Sequence, residues 1–335
     1  MKLNFAALSL LVSALVAVSA PLSATTVTTT PVGFVSTTIN SGFNAVGITM
    51  VNEATFTGEV VSVDDTLGTV TLNSSVDLSG LGPCYLEATS GEGIEGERFD
   101  IVSANGAILT LNLASPNTTT SDITVLEPTA TNISVVIREH FTIGDIAANI
   151  ADVAQSSNDI NNADQILLYQ DNSFIRHLRA ADGNWYKFYG DFGLANNIVI
   201  PAGAGFFYFR SPTGSASGAG FTFRILGAVR TNQYLALLPG GYQLISTGFP
   251  LDESPDSLGL TTEMGFTGSN DSNIADTILE WDNGSFKRYI LAADGKWYKF
   301  FGDFAEITLT EIFAPNKSLF IRTDSGVALA VQPGF

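Results

Sequence analysis

The chain has 335 residues, of which 45% are hydrophobic and only 14% charged, and its formal net charge is −18. Such a chain can bury a sizeable core, while its surface must be covered by Thr, Ser, Asn and Gly, because charged residues usually supply about a quarter of a soluble protein. The acidity, with no run of Lys or Arg, excludes a nucleic-acid backbone as partner, and the single Cys84 excludes an internal disulfide and a cysteine-type zinc site.

Residues 1–24 read as a signal peptide. Lys2 supplies a positive start, Phe5–Val18 is an apolar run shorter than a membrane span, and small residues precede cleavage after Ala24. No later stretch is apolar for long enough to predict a transmembrane helix. The run Thr25, Thr26, Val27, Thr28, Thr29, Thr30 is β-branched throughout and favours an extended strand. Two strands around Asn40-Ser41-Gly42 follow, so residues 25–55 supply the first strands of a repeat unit.

Residues 56–137 have no counterpart in the second half and predict an inserted β-subdomain. Its strand-like runs are Glu59–Val63, Thr69–Leu72, Arg98–Val102 and Ile108–Leu113, separated by turn signals such as Asn105-Gly106. The Thr/Asn-rich stretch Pro128–Asn132 is its expected boundary. One helix then follows, capped by Thr142 with Asp145 in the capping-box position and with Ile143, Ile146, Ile150 and Val153 on one face. Ser254-Pro255-Asp256 is a second helix-start signature.

A long phrase occurs twice. Ser157–Phe192 and Ser269–Phe304 align without a gap and share 22 of 36 residues. Each phrase predicts a three-stranded meander: Ile166–Tyr169, Ser173–Leu178 and Trp185–Tyr189, then Thr277–Trp281, Ser285–Leu291 and Lys296–Phe301. Asp182-Gly183 and Asp294-Gly295 are two-residue hairpin signals. That register sets Ala180 against Trp185, His177 against Phe188 and Arg176 against Tyr189, with Ala292 against Trp297 in the second copy. Pro201–Gly205 and Pro315–Ser318 then lead into closing apolar strands. Residues 138–217 complete the first unit and 218–335 form the second. The predicted fold is all-β, of mainly antiparallel sandwich-like units with one or two short helices, a tandem duplication carrying an inserted β-subdomain.

The candidate chemistry is sparse. Of the two histidines, His177 has Tyr289 as its repeat partner, which favours packing over catalysis, and His140 has no partner at a recognisable spacing. Gly203-Ala204-Gly205 precedes a strand and so is not a phosphate loop. The expectation is a protein without enzymatic activity. The Asn/Asp clusters around Asp159, Asp164, Asp271 and Asp276 suit calcium, which takes six to eight oxygens, and also suit ordinary turns. Trp185, Tyr186, Trp297 and Tyr298 are candidate stacking platforms for sugar rings, against the reading that they are core. Thr25–Val35 is a candidate donor strand that completes a sheet in the next copy.

The pattern of Ala163, Asp164, Ile166, Leu167, Gly183, Trp185, Pro201 and Phe206, repeated as Ala275, Asp276, Ile278, Leu279, Gly295, Trp297, Pro315 and Phe320, resembles a family of secreted repeat proteins best known from Verrucomicrobia and related bacteria. That resemblance implies a structural motif set and transfers no activity. The expected function is therefore a secreted, non-catalytic structural component of the cell surface or extracellular matrix that associates with copies of itself. The alternative is a polysaccharide-binding adhesive module.

Overall fold

The computed structural model describes residues 31–128, 132–213, 220–310 and 313–334. The signal segment and Thr25–Thr30 lie outside the described residues. Strand dominates the rest, and the chain is all-β. The first unit opens with β1 (Val32–Ile39) and β2 (Gly42–Gly47). The insert follows as β3 (Ala54–Asp64), β4 (Thr69–Leu72), β5 (Cys84–Ala88), β6 (Arg98–Asn105), β7 (Ile108–Asn112) and β8 (Ser134–Glu139). The first unit resumes with β9 (Phe141–Thr142), helix α1 (Ile143–Ile150), β10 (Gln165–Gln170), β11 (Ser173–Arg179), β12 (Trp185–Lys187), β13 (Val199–Ile200), β14 (Gly205–Arg210) and β15 (Phe221–Ala228). The second unit holds β16 (Tyr234–Leu238), β17 (Gly241–Ser246), β18 (Thr277–Asp282), β19 (Ser285–Leu291), β20 (Trp297–Lys299), β21 (Ser318–Thr323) and β22 (Val327–Val331).

The two copies form sheets of the same order. In the first unit it is β12-β11-β10-β14-β2, and in the second β20-β19-β18-β21-β17. A two-stranded sheet covers the inner face of each, β1-β15 in one and β16-β22 in the other. Alternation along β14 shows why: Phe206 and Tyr208 enter the first sandwich core with Trp185, Ile166 and Ile225, while Phe207 points the other way. In the second core Leu319 and Ile321 pack with Trp297, Ile278 and Leu329. Because β15 pairs with β1 along its whole length, residues 221–228 complete the first unit, and the division at 217/218 moves past Ala228.

The opposite faces of the two sheets pack on each other. Ala45, Leu167, Phe207, Leu244 and Phe320 are buried there, flanked by Tyr169, Tyr242, Leu279 and Trp281. The contact is reciprocal. Phe207 and Phe320, the third residues of β14 and β21, stack at 6.2 Å between centroids. Phe207 meets Trp281 at 5.7 Å, and Phe320 meets the equivalent Tyr169 at 4.9 Å. Main-chain bonds obey the same exchange: Gly47 N–H donates to Asn316 O at 3.0 Å and Ser246 N–H to Gly203 O at 2.8 Å. A Cβ on Gly47 would stand 2.3 Å from Lys317 O, so only glycine permits this approach. The two copies thus form an internal pseudo-dimer of the isologous kind.

The insert closes into a six-stranded barrel, β3-β4-β7-β6-β5-β8, around Val70, Leu86, Phe99, Leu109, Val135 and Ile137. It reaches Glu139, beyond the expected boundary at Pro128–Asn132. A buried polar junction ties it to both units. Arg98 donates to Ala202 O and Leu235 O, each at 2.5 Å, and its guanidinium lies over Tyr234. Glu87, fully buried, is paired with Arg138 at 3.6 Å and with Arg230. Buried ions need such partners, since an isolated charge would cost several kcal/mol to desolvate.

The helix forms as its capping box predicts. Asp145 N–H donates to Thr142 Oγ1 at 3.2 Å and Thr142 N–H to Asp145 Oδ2 at 2.7 Å. Ile143, Ile146 and Ile150 are buried, but Val153 falls beyond the helix and is 39% exposed. After Ser254-Pro255-Asp256 the chain makes turns and then a short 3-10 segment, Thr262–Met264, with no α-helix.

The hairpin register differs from expectation by one residue. Arg179 faces Trp185, and Leu291 faces Trp297. A two-residue type I′ turn needs positive φ at both central positions; Gly183 (φ 86) and Gly295 (φ 80) have it, and the preceding aspartates do not. Gly183 N–H donates to Ala180 O, and Ala180 N–H to Asn184 O. The loop therefore holds three residues with a glycine bulge, and Ala180 no longer faces the indole.

Reciprocity at the seam makes a mechanical prediction. Phe207→Ala and Phe320→Ala should each destabilise by about 3–5 kcal/mol and be non-additive when combined, because they remove one shared contact. Urea unfolding of the two single variants and the double variant checks this; additive losses would contradict the shared contact.

Candidate functional site

The hairpin arm following each Trp ends in an aromatic turn. Along β12, Trp185 points into the core, and the ladder continues as Phe188 N–H donates to Arg176 O at 2.8 Å. The chain then reverses at Gly190 (φ 95), so that Lys187 N–H donates to Gly193 O and Ala195 N–H to Trp185 O. Asp191 Oδ1 accepts from Gly193 N–H across the turn. The second copy repeats every step: Gly302 has φ 93, Lys299 N–H donates to Ala305 O, and Asp303 Oδ1 accepts from Ala305 N–H.

This turn exposes large apolar side chains in both copies. Tyr189 is 66% exposed and Phe192 58%; Phe301 is 70% and Phe304 58%. Phe188 backs the first cluster, with ring centroids 4.4 Å from Tyr189 and 6.1 Å from Phe192. Phe300 backs the second at 4.7 Å and 6.4 Å, and the Arg288 guanidinium stacks on it at 4.4 Å.

Backbone conformation singles out the same residues. Among the described residues, five non-glycines have positive φ: Asp171, Asn172, Asn283, Phe192 and Phe304. The first three are residue types that tolerate the left-handed region in tight turns. Phenylalanine does not, and holding it there costs on the order of 1–3 kcal/mol. An exposed ring returns nothing to the core for that cost. The same unfavourable geometry is made in both copies.

The residues expected to stack on sugars lie elsewhere. Trp185 and Trp297 are each 1% exposed, inside the sandwich cores, and offer no face to a ligand. Tyr186 and Tyr298 are half-buried, and their hydroxyls donate to Asp182 and Asp294 of the hairpin turns at 2.8 Å and 2.9 Å. The aromatic presentation falls three to seven residues further on. Its signal is the Gly-Asp-Phe phrase identical in the two copies, directly after the strand.

The four acidic residues do not converge on a cation. Asp164 is fully buried and accepts from Tyr208 Oη, Arg210 Nη1, Ser211 N and Gln155 N at 2.7–2.9 Å. Asp276, also buried, accepts from Thr267 N and Asp324 N, each at 2.9 Å, and burial pushes its carboxyl above the usual range. Asp159 and Asp271 instead close turns on Asn161 and Asn273 at 2.9 Å. Donors occupy both carboxylate oxygens of Asp159, Asp164 and Asp276 and one of Asp271, and no group of three His, Cys, Asp or Glu side chains able to hold a metal occurs among the described residues.

The titratable groups considered for catalysis are packed away. His177 is 1% exposed and sits opposite Lys187; burial lowers its imidazole to about 4 and keeps it neutral. His140 is 5% exposed, stacks on Tyr85 at 4.6 Å and bonds Asp100 at 2.7 Å. Cys84 is buried, and desolvation raises its thiol to about 11, far from a reactive thiolate. No helix among the described residues is long and apolar enough to cross a membrane. No protein-family model, curated protein or solved structure matches the chain.

Saturation of these carboxylates predicts indifference to calcium. A filled site at a hundredfold excess over Kd would add about 2.7 kcal/mol and raise the melting midpoint by roughly 4 °C. Melting with millimolar calcium and with EDTA should give coincident curves; a calcium-dependent rise of that size would restore the acidic loops as a metal site.

Proposed function

We propose that the chain is a non-catalytic structural component of the cell surface or extracellular matrix, which self-associates through its two aromatic turns. The observation that carries this reading is the duplicated exposure of Tyr189 with Phe192 and of Phe301 with Phe304 on left-handed backbone. Clustered, rigid aromatic side chains with few degrees of freedom are the residues that dominate protein–protein contact energies. Two equivalent clusters on one chain make it bivalent, and a bivalent subunit propagates into a chain or layer wherever its contacts do not close a ring. The net charge of −18 argues against an anionic membrane as the surface that covers them. The resemblance to secreted repeat proteins supports the extracellular setting. Donation of Thr25–Thr30 to a neighbouring sheet falls outside the described residues, so the turns replace it as the mechanism proposed here.

Bivalency gives a countable outcome. In sedimentation velocity, the wild type should grow beyond dimers as its concentration rises. Tyr189→Ser with Phe192→Ser should stop at dimers through the remaining turn, and adding Phe301→Ser with Phe304→Ser should leave monomers. A wild type that remains monomeric, or a fourfold variant that still polymerises, would sink the reading.

A further inference from the structure

A cavity of about 510 Å³ opens where the two copies meet, and its volume falls in the range of small-ligand sites. The first unit contributes Thr38, Asn40, Ser41 and Phe43 from β1 and the turn into β2, and the second contributes Trp281 and Asn283 from the end of β18. We propose that this cavity binds a neutral oligosaccharide, at a site distinct from the aromatic turns and independent of the assembly reading.

The platform is already fixed in place. Trp281 Nε1–H donates to Phe43 O at 2.9 Å across the seam, and its ring is wedged among Phe43, Phe207 and Phe286 at centroid distances of 6.3, 5.7 and 4.9 Å. A half-buried indole held this way presents an apolar face at little further entropic cost, which is what the C–H face of a pyranose ring needs. Phe43, 40% exposed, stands nearly perpendicular to it. Around them Thr38, Asn40, Ser41 and Asn283 are exposed hydroxyls and amides, groups that can both donate to and accept from sugar hydroxyls.

The charge pattern selects against ions. The cavity touches one cation and one anion, Lys317 and Asp282. Each is already compensated outside it: Lys317 by Glu280 at 3.1 Å and Asp282 by Lys287 at 3.3 Å. Neither sign of ligand charge would find a free partner, so the fitting ligand is polar and uncharged.

Comparison of the two copies points the same way. The seam keeps its aromatics at both equivalent places, Phe207 with Phe320 and Phe174 with Phe286. The lining positions diverge: Asp282, Asn283 and Lys317 correspond to Gln170, Asp171 and Ala204, while Asn40 and Ser41 correspond to Pro239 and Gly240. In the equivalent region of the other half, the position matching Trp281 is Tyr169, which packs on Phe174 and Phe320. Packing alone would be served by either version, and only one copy gathers amides, hydroxyls and an indole at one opening.

The test is a titration of the full chain with cellohexaose, chitohexaose and mannohexaose, followed by calorimetry and by tryptophan emission. Saturable binding of at least one, with Kd below about 1 mM, is expected. Trp281→Ala should weaken it about tenfold or more by removing the stacking face. Thr38→Trp, which fills the opening from an exposed strand position and leaves the seam intact, should abolish it. The fourfold aromatic-turn variant should bind as the wild type does, so loss of assembly and loss of binding are separable. The proposal is overturned if none of the three sugars binds saturably up to about 10 mM, or if either cavity variant leaves the affinity within about twofold of wild type.

Discussion

The main-chain pair Gly47 N–H to Asn316 O and Ser246 N–H to Gly203 O is the constraint from which the rest of this molecule follows. It can form because the first sheet offers residues small enough for backbone to meet backbone: glycine at 47, where a Cβ would collide with Lys317 O, and glycine at 205, where one would stand 2.2 Å from Ser318 Cβ. Once it forms, the outer faces of both five-stranded sheets are committed to the Phe207–Phe320 seam, and their inner faces to the Trp185 and Trp297 cores. Outside the cores, the seam and the opening beside Trp281 lies the far edge of each sheet. There β12 and β20 stand three strand spacings, about 15 Å, from β14 and β21. The exposed aromatic turns extend from those edges.

The barrel is added without disturbing this arrangement. It enters after β2 and leaves before β9, and it carries its own core. Its attachment combines a small apolar cluster, Val51, Tyr85, Ala202 and Ala228, with a buried polar one, unusual for a chain so poor in charge. Arg98 reaches a carbonyl in each unit, and Glu87 gathers Arg138 of the barrel and Arg230 of the linker between units. Such a cluster gives less net stability than an apolar contact of the same size, but its directional bonds fix one orientation of three bodies that apolar packing alone would leave free to slide.

Local chemistry was legible in the sequence wherever a residue's partner was close in the chain. The capping box at Thr142 and the first two strands of each meander form as their residues predict, whereas the third strand of each ends two residues early, at Lys187 and Lys299. The hairpin turns were recognisable but their type was not, because Asp-Gly serves both the two-residue turn and the three-residue turn with a bulge, and only φ at Asp182 separates them. Strands β5 and β8 are illegible in the sequence for a different reason. Each carries a charge, Glu87 or Arg138, at a buried position, and only the folded structure brings the neutralising partner from a distant part of the chain. The seam was equally hidden: Phe206–Phe209 is continuously apolar, since both faces of β14 are covered, and a continuous run does not say what covers it. The aromatic turns are hidden in the sequence because nothing in a Trp-Tyr-Lys-Phe-Tyr-Gly-Asp-Phe phrase tells which rings go in.

This division explains why the repeat marks architecture so clearly and function so faintly. Positions identical in both copies include those that build each sandwich, Trp185 and Trp297 among them, and those that hold the turn, Phe192 and Phe304. Exposure is what separates the two sets, and exposure belongs to the fold. An electron cryo-microscopy reconstruction of the assembled protein tests the account most directly. It should place Tyr189 with Phe192, and Phe301 with Phe304, inside the contacts between subunits, with each Phe207–Phe320 stack formed within a single chain. Turns left facing solvent in the assembly, or a seam exchanged between neighbouring chains, would contradict it.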